Sequence, residues 1–187
     1  MIGSLSDTPE HKQSMRMRPA CDRVIREVWG PSATIVRFDR NDEEGPHVLD
    51  QNYHIDVQVG LVGGGTVTLQ EKALTYRYSD HRTFTMEYHQ NRHTGEEGEF
   101  FHIAAQYYLS GYSDETGIEF LYWNILAVAP FVEWYQQQQL ELRPSTSRAD
   151  FIYPSLLLIP SRICYRSGRG PGCTYSSGPI CTWGPDA

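Results

Sequence analysis

Apolar residues recur at Cys21, Val24, Ile25, Val28 and Trp29, a spacing of i, i+3, i+4, i+7 and i+8 that predicts an amphipathic helix. Its opposite side carries Asp22, Arg23, Arg26 and Glu27, and Gly30-Pro31 ends it. Downstream the period changes to two. Thr34 to Phe38 is a short β-rich run, and an acidic loop follows from Asp39 to Gln51, broken by Gly45-Pro46. From Tyr53 to Val59 the residues Tyr53, Ile55, Val57 and Val59 share one strand face, with His54, Asp56 and Gln58 on the other. The glycine-rich stretch Gly60 to Gly65 predicts a turn that returns the chain antiparallel. In the returning strand, Thr66 to Ala73, Val67, Leu69, Glu71 and Ala73 alternate with Thr66, Thr68, Gln70 and Lys72. Thr83 to Gln90 forms a third strand, with Thr85, Glu87 and His89 on its polar side.

Beyond these strands a helix is expected from about Glu97 to Leu109, then a buried strand from Leu121 to Val128. Pro130 suits the first turn of a further helix carrying Trp134 and Tyr135. A last strand or two falls within Phe151 to Ile159. The expected fold is α/β in the mixed α+β sense, a central mixed sheet with an antiparallel hairpin flanked by helices. Residues 1–17 are polar and aperiodic and predict a flexible arm. Residues 163–187 are rich in Gly, Pro, Ser and Cys and predict a disordered tail, which leaves a single domain over 18–162.

Composition narrows the classes. With 40% hydrophobic and 12% aromatic residues, the chain can build a core. No apolar run approaches the roughly 18–20 residues of a membrane span. The first residues lack a basic stretch followed by an apolar core, which points to the cytoplasm, the host's if the chain is phage-encoded. Four cysteines without a Cys-x-x-Cys pair make neither a disulfide framework nor a zinc signature. The formal charge of −7 argues against indiscriminate coating of nucleic acid, although a local basic groove remains compatible with it.

Candidate chemistry concentrates on the two strands flanking the glycine turn. Gln70 and Lys72 share one face, and a short hairpin brings Asp56 beside them. A carboxylate, an amide oxygen and an ammonium converging on one point suit a divalent cation and an attacking water. Mg²⁺ (or Mn²⁺) prefers such oxygen ligands.

Three segments, Cys21-Asp22-Arg23-Val24-Ile25-Arg26-Glu27, His54-Ile55-Asp56-Val57 and Leu69-Gln70-Glu71-Lys72, together resemble the PD-(D/E)XK nuclease superfamily. The later stretch Gly98 to Tyr108 is similar to the aromatic helix of its phage and Holliday-junction-resolvase-like members. The resemblance implies a restriction-endonuclease-like core and hydrolysis of DNA phosphodiesters. By it Asp56 is the metal aspartate, Gln70 takes the place of the usual carboxylate, and Lys72 is the catalytic lysine. Asp22 or Glu27 is the helix acid. Gln70 is neutral where an acid is usual; Glu71 is acidic but has the other parity, and Glu87 could reach the site from the third strand.

Phosphate contacts would come from Arg16, Arg18, Arg23 and Arg26 near the first helix and from Arg143, Ser145, Ser147 and Arg148, a run of guanidiniums and hydroxyls without an acid. Cleavage of a branched DNA or Holliday junction would require a homodimer, with Trp134 and Tyr135 near its interface. Three functions stay open: a Mg²⁺-dependent endonuclease, a catalytically inactive nuclease-like module that binds nucleic acid or protein, and a small-molecule-binding domain lined by Tyr and Trp.

Overall fold

Thr8 opens the first helix, its hydroxyl accepting from the His11 N–H at 3.2 Å, and Pro9 follows with the backbone angle a first turn needs. The computed structural model describes residues 8–38, 47–138, 149–156, 158–160 and 163–168. In it α1 spans Pro9–Trp29 and buries Met17, Ala20, Cys21, Val24 and Ile25. The helix therefore begins well before Cys21, and residues 9–17, expected in a flexible arm, belong to it. Polar residues fill its exposed sides there, so the apolar period is visible only in its second half.

Strands β2 (Val57–Gly60) and β3 (Thr66–Leu74) form the antiparallel hairpin that the alternation and glycine turn predicted, and β1 (Thr34–Arg37) pairs antiparallel with β2 to make a meander. The turn between β2 and β3 closes with the Leu61 N–H donating to Gly65 O at 3.0 Å. Gly63, Gly64 and Gly65 all have positive φ there, which residues with a Cβ adopt only under strain. Val48–Tyr53, expected in the acidic loop and the start of a strand, is instead a short helix, α2, closed by His54 in the left-handed region. The alternation of Tyr53 to Val59 is thus a strand pattern only in its second half.

A 3₁₀ turn, Tyr76–His81, leads to β4 (Met86–Asn91), β5 (Glu96–Glu97) and α3 (Glu99–His102). The long helix expected to Leu109 is corrected: it ends after a single turn, and Tyr107–Ser113 is a strand, β6. Tyr108, Ser110 and Tyr112 alternate with Leu109 and Gly111, and all five are buried, so no polar face exists to reveal a period of two. Then come β7 (Phe120–Ala127) and α4 (Val128–Gln137), with Pro130 in its first turn as predicted. Tyr135 turns inward against Phe100 and Phe131 and does not supply an exposed interface. Strand β8 is confined to Asp150–Ile152, and β9 (Cys164–Gly168) lies in the segment expected to be disordered.

The main sheet has the order β1-β2-β3-β6-β7-β9, in which only β3 and β6 run parallel. A second sheet has the order β5-β4-β8. One face of the main sheet packs Val57, Leu69, Leu109 and Ile125 against Cys21, Val24 and Ile25 of α1. The other packs Tyr108 and Leu126 against Phe84, Met86, Phe100, Phe131 and Ile152, from the second sheet, α3, α4 and their approaches. The central sheet is therefore mixed and covered on both sides. Among the described residues no helix is long and apolar enough to cross a membrane.

Gly111 marks the tightest contact across β6 and β7. A Cβ placed there would stand 2.6 Å from the Phe120 ring and 2.9 Å from Tyr122 O. Gly111→Ala is expected to lower the unfolding free energy by about 1–3 kcal/mol, measured by urea denaturation, because the opposing atoms include backbone that cannot yield.

Candidate functional site

The centre of β3 carries Gln70, Glu71 and Lys72 in succession, so a strand covered on both faces must bury or pair polar groups on both. Glu71 faces α1. Arg37 of β1 joins its carboxylate to that of Asp22 on α1, pairing with both, and Asp22 also lies 3.9 Å from Arg26. The Arg37 and Glu71 side chains are only 14% and 9% exposed, so this is a largely buried network. Burial pushes the Glu71 carboxyl up, against the stabilising charge and hydrogen bond of Arg37. Burial alone would lower Arg37, but its two carboxylate partners push it well above the usual guanidinium range. Asp22 and Glu71, both expected as metal ligands, are thus taken up by Arg37 on the face away from Lys72. Glu27 is exposed on α1 in the same layer.

The opposite face holds a different set. Lys72, Ser110 and Asn124 form one row across β3, β6 and β7, and Gln70, Tyr108 and Leu126 form the next. Ser110, Asn124 and Tyr108 are fully buried. The Asn124 amide donates to Ser110 O at 3.2 Å, while its Oδ1 and the Oε1 of Gln70 are buried without a hydrogen-bond partner among the described residues. The Lys72 ammonium lies 4.0 Å from Glu99 Oε2 and 5.5 Å from the centre of the Phe151 ring on β8. Tyr108 donates its hydroxyl to the same Glu99 oxygen at 3.1 Å. Burial, then the neighbouring Glu99, raises the Tyr108 phenol well above its ordinary value, so it remains a donor. Glu87 on β4 is also within electrostatic reach. Burial raises its carboxyl, Lys72 pulls it down, and the charges of Glu99 and Glu96 raise it further.

Asp56 stands where these two halves meet. It precedes Val57, the partner of Leu69, and so falls opposite Gln70 across the hairpin. Its Oδ2 accepts from the Glu71 N–H at 2.7 Å. Burial lifts its carboxyl well above the ordinary 3.8, against that hydrogen bond, and the nearby Asp50 and Glu71 charges add to the rise. Its charge is felt by Cys21 on the α1 face and by Tyr108 on the other. The hairpin thus gathers Asp56, Gln70 and Lys72, and Glu87 approaches from the covering sheet. No family model, curated protein or solved structure matches the chain. What the site can do rests on its own geometry.

Of the expected phosphate contacts, Arg143, Ser145, Ser147 and Arg148 lie outside the described residues. Arg16, Arg18, Arg23 and Arg26 lie on α1, across the sheet from Lys72, and Arg23 is paired with Glu119. Glu99 is the residue that sequence reasoning missed. The helix expected from about Glu97 placed it in a first turn, where an acid is commonplace. No local pattern marked its burial, because its partners Tyr108 and Lys72 belong to neighbouring strands.

The Arg37 guanidinium ties the two carboxylates together. Arg37→Ala removes the paired charge of the buried Glu71 and leaves Asp22 to Arg26, and should destabilise the fold by about 3 kcal/mol, whereas Arg37→Met with Glu71→Leu should recover most of that loss in denaturant titrations. The raised carboxyls set a second expectation. A group that binds its proton more tightly when folded makes stability fall as pH rises from its ordinary value through its native one. Unfolding free energy should therefore decline as pH rises above the ordinary carboxylate range, and Asp56→Asn, which can still accept from the Glu71 N–H, should flatten that slope in denaturant titrations run at a series of pH values.

Proposed function

We propose that the protein is a metal-dependent endonuclease that hydrolyses DNA phosphodiesters on a restriction-endonuclease-like core. The observation that carries this reading is the hairpin: Asp56 faces Gln70, Lys72 follows on the same side of β3 as Gln70, and the Gln70 Oε1 is buried with no partner among the described residues. The order of elements supports it: the N-terminal helix comes first and, after β1 and α2, the strand led by Asp56, the glycine turn and the strand with Gln70 and Lys72 succeed one another.

The donor set fits a hard cation. All the candidate donors are oxygens, and an amide oxygen buried without a hydrogen is the kind of atom a cation satisfies. Among the described residues no group of three or more His, Cys, Asp and Glu gathers as a metal cluster, so an amide oxygen has to serve as one of the donors. Asp56 and Gln70 would hold Mg²⁺ or Mn²⁺, with Glu87 as the expected acid on the same side as Lys72. When bound, the ion stabilises charge on the phosphate and acidifies water. Lys72 places a cation against the developing charge of the pentavalent phosphorus. Asp56 is fixed by the β3 backbone, and the Lys72 ammonium sits over the Phe151 ring, a cation–π contact that helps hold it in place. Water adds to phosphorus as one bridging P–O bond breaks, leaving a phosphomonoester and a hydroxyl.

A second reading has its own support: Gln70 is neutral and the Asp56 carboxylate already holds a backbone N–H, as in a nuclease-like module that binds without cutting. Incubation with supercoiled, branched and single-stranded DNA in Mg²⁺ or Mn²⁺ separates the two. The nuclease reading expects cleavage by wild type, a fall of about a hundredfold or more in Asp56→Ala and Lys72→Ala, and tighter metal binding in Gln70→Glu. Binding without cleavage selects the module. Cutting of Holliday junctions would carry the further expectation of a homodimer in solution.

A further inference from the structure

We infer that Glu99 is the carboxylate that completes the metal site, supplying from the crossover between β3 and β6 the charge that Gln70 lacks. The inference rests on the metal-dependent reading above and deepens it. The acid which that resemblance implies on the first helix is unavailable here. Asp22 is bound to Arg37, Glu27 is exposed, and both belong to the layer on the far side of the sheet from Lys72. Glu71 is held by the same arginine.

Glu99 has the opposite situation. Its side chain is 9% exposed, its Oε2 receives the Tyr108 hydroxyl at 3.1 Å, and the Lys72 ammonium stands 4.0 Å from that same oxygen. Tyr108 is the register partner of Gln70 on the neighbouring strand, so the residue that anchors Glu99 is also the residue beside the orphaned amide. Both described contacts fall on Oε2, which leaves Oε1 for another partner. A buried carboxylate with a single lysine at the limit of pairing distance is poorly compensated, and so is a buried amide oxygen with no donor. One cation answers both. The adjoining Asn124 Oδ1, also buried and unpartnered among the described residues, shows that the polar deficit extends along the row of Lys72 rather than being an accident of one rotamer. Glu87, on the covering sheet, is less buried than Glu99 and lies within electrostatic reach of both Lys72 and Glu99.

Direct binding of Mn²⁺ to the full-length protein, followed by electron paramagnetic resonance without DNA, tests this. Wild type should bind, Glu99→Gln should weaken binding by about tenfold or more, and Tyr108→Phe should weaken it less by loosening the carboxylate. Glu27→Gln should bind as wild type does. Glu99→Gln retains an oxygen for the Tyr108 hydroxyl, and Glu99→Asp, which keeps the charge but retracts it, should fall between the two if Glu99→Gln proves unstable in thermal melts. Retention of full Mn²⁺ affinity by Glu99→Gln while Asp56→Asn loses it overturns the role of Glu99 and leaves the metal reading standing. Failure of wild type to bind Mn²⁺ at millimolar concentration overturns both.

Discussion

A strand in the middle of a sheet covered on both sides cannot leave a charge unpaired, and β3 carries Gln70, Glu71 and Lys72 at its centre. Much of the architecture can be traced to that constraint. Because successive side chains point to opposite faces, the charges are sent in two directions and each face must answer separately. On the α1 face the answer is Arg37, which joins β1 to β3 and both to the helix through Asp22. On the other it is Glu99, braced by Tyr108 and set beside Lys72. On the first face one guanidinium pairs with both carboxylates, and Glu71 Oε1 is the atom left buried without a hydrogen bond among the described residues. On the second the lysine has one carboxylate at 4.0 Å, and Gln70 and Asn124 each keep a buried oxygen without a partner among the described residues.

That difference separates a structural network from a candidate site. A guanidinium between two carboxylates, largely withdrawn from water, satisfies its own geometry and has little to offer a ligand. A lysine with one distant carboxylate, next to unsatisfied amide oxygens, is built to meet something else. The parallel pairing of β3 with β6 makes this possible. Parallel neighbours need a long crossover, and here the crossover carries the 3₁₀ turn, β4, β5 and α3 over the Lys72 face. Glu87 and Glu99 both arrive on it. The acids nearest Lys72 therefore come from the connection, and the helix preceding the sheet is left to stabilise it.

The hairpin could be read directly from the chain. Its alternation has one polar face and one apolar face, and its turn has glycines where φ must be positive, so Asp56, Gln70 and Lys72 could be brought together before any coordinates. Strand β6 could not be recognised in the same way. With both faces buried, Tyr107 to Ser113 shows no alternation, and its aromatics next to a true helical turn at Glu99 resemble a longer helix. Strand β9 was hidden for a related reason: a short edge strand among Gly and Ser residues takes its structure from pairing with β7, not from local preference. The start of α1 was hidden by polar residues on a helix whose buried contacts there are few.

By itself the sequence determined the hairpin, the glycine turn, the mixed α+β class and the parity that separates Glu71 from Gln70 and Lys72. These follow from periods of two and from turn chemistry, which are local. Only the tertiary structure decided which acid stands beside Lys72. Parity says which face a side chain takes, but not what another element will lay over that face. Asp22 and Glu71 looked available until Arg37 was seen between them, and Glu99 looked like a helix-start acid until Tyr108 and Lys72 were seen around it. The physical reason is the same in each case. A buried charge is defined by its partner, and these partners lie 15, 34 and 9 residues away along the chain or, for Lys72 and Glu99, across a crossover that local pattern does not resolve.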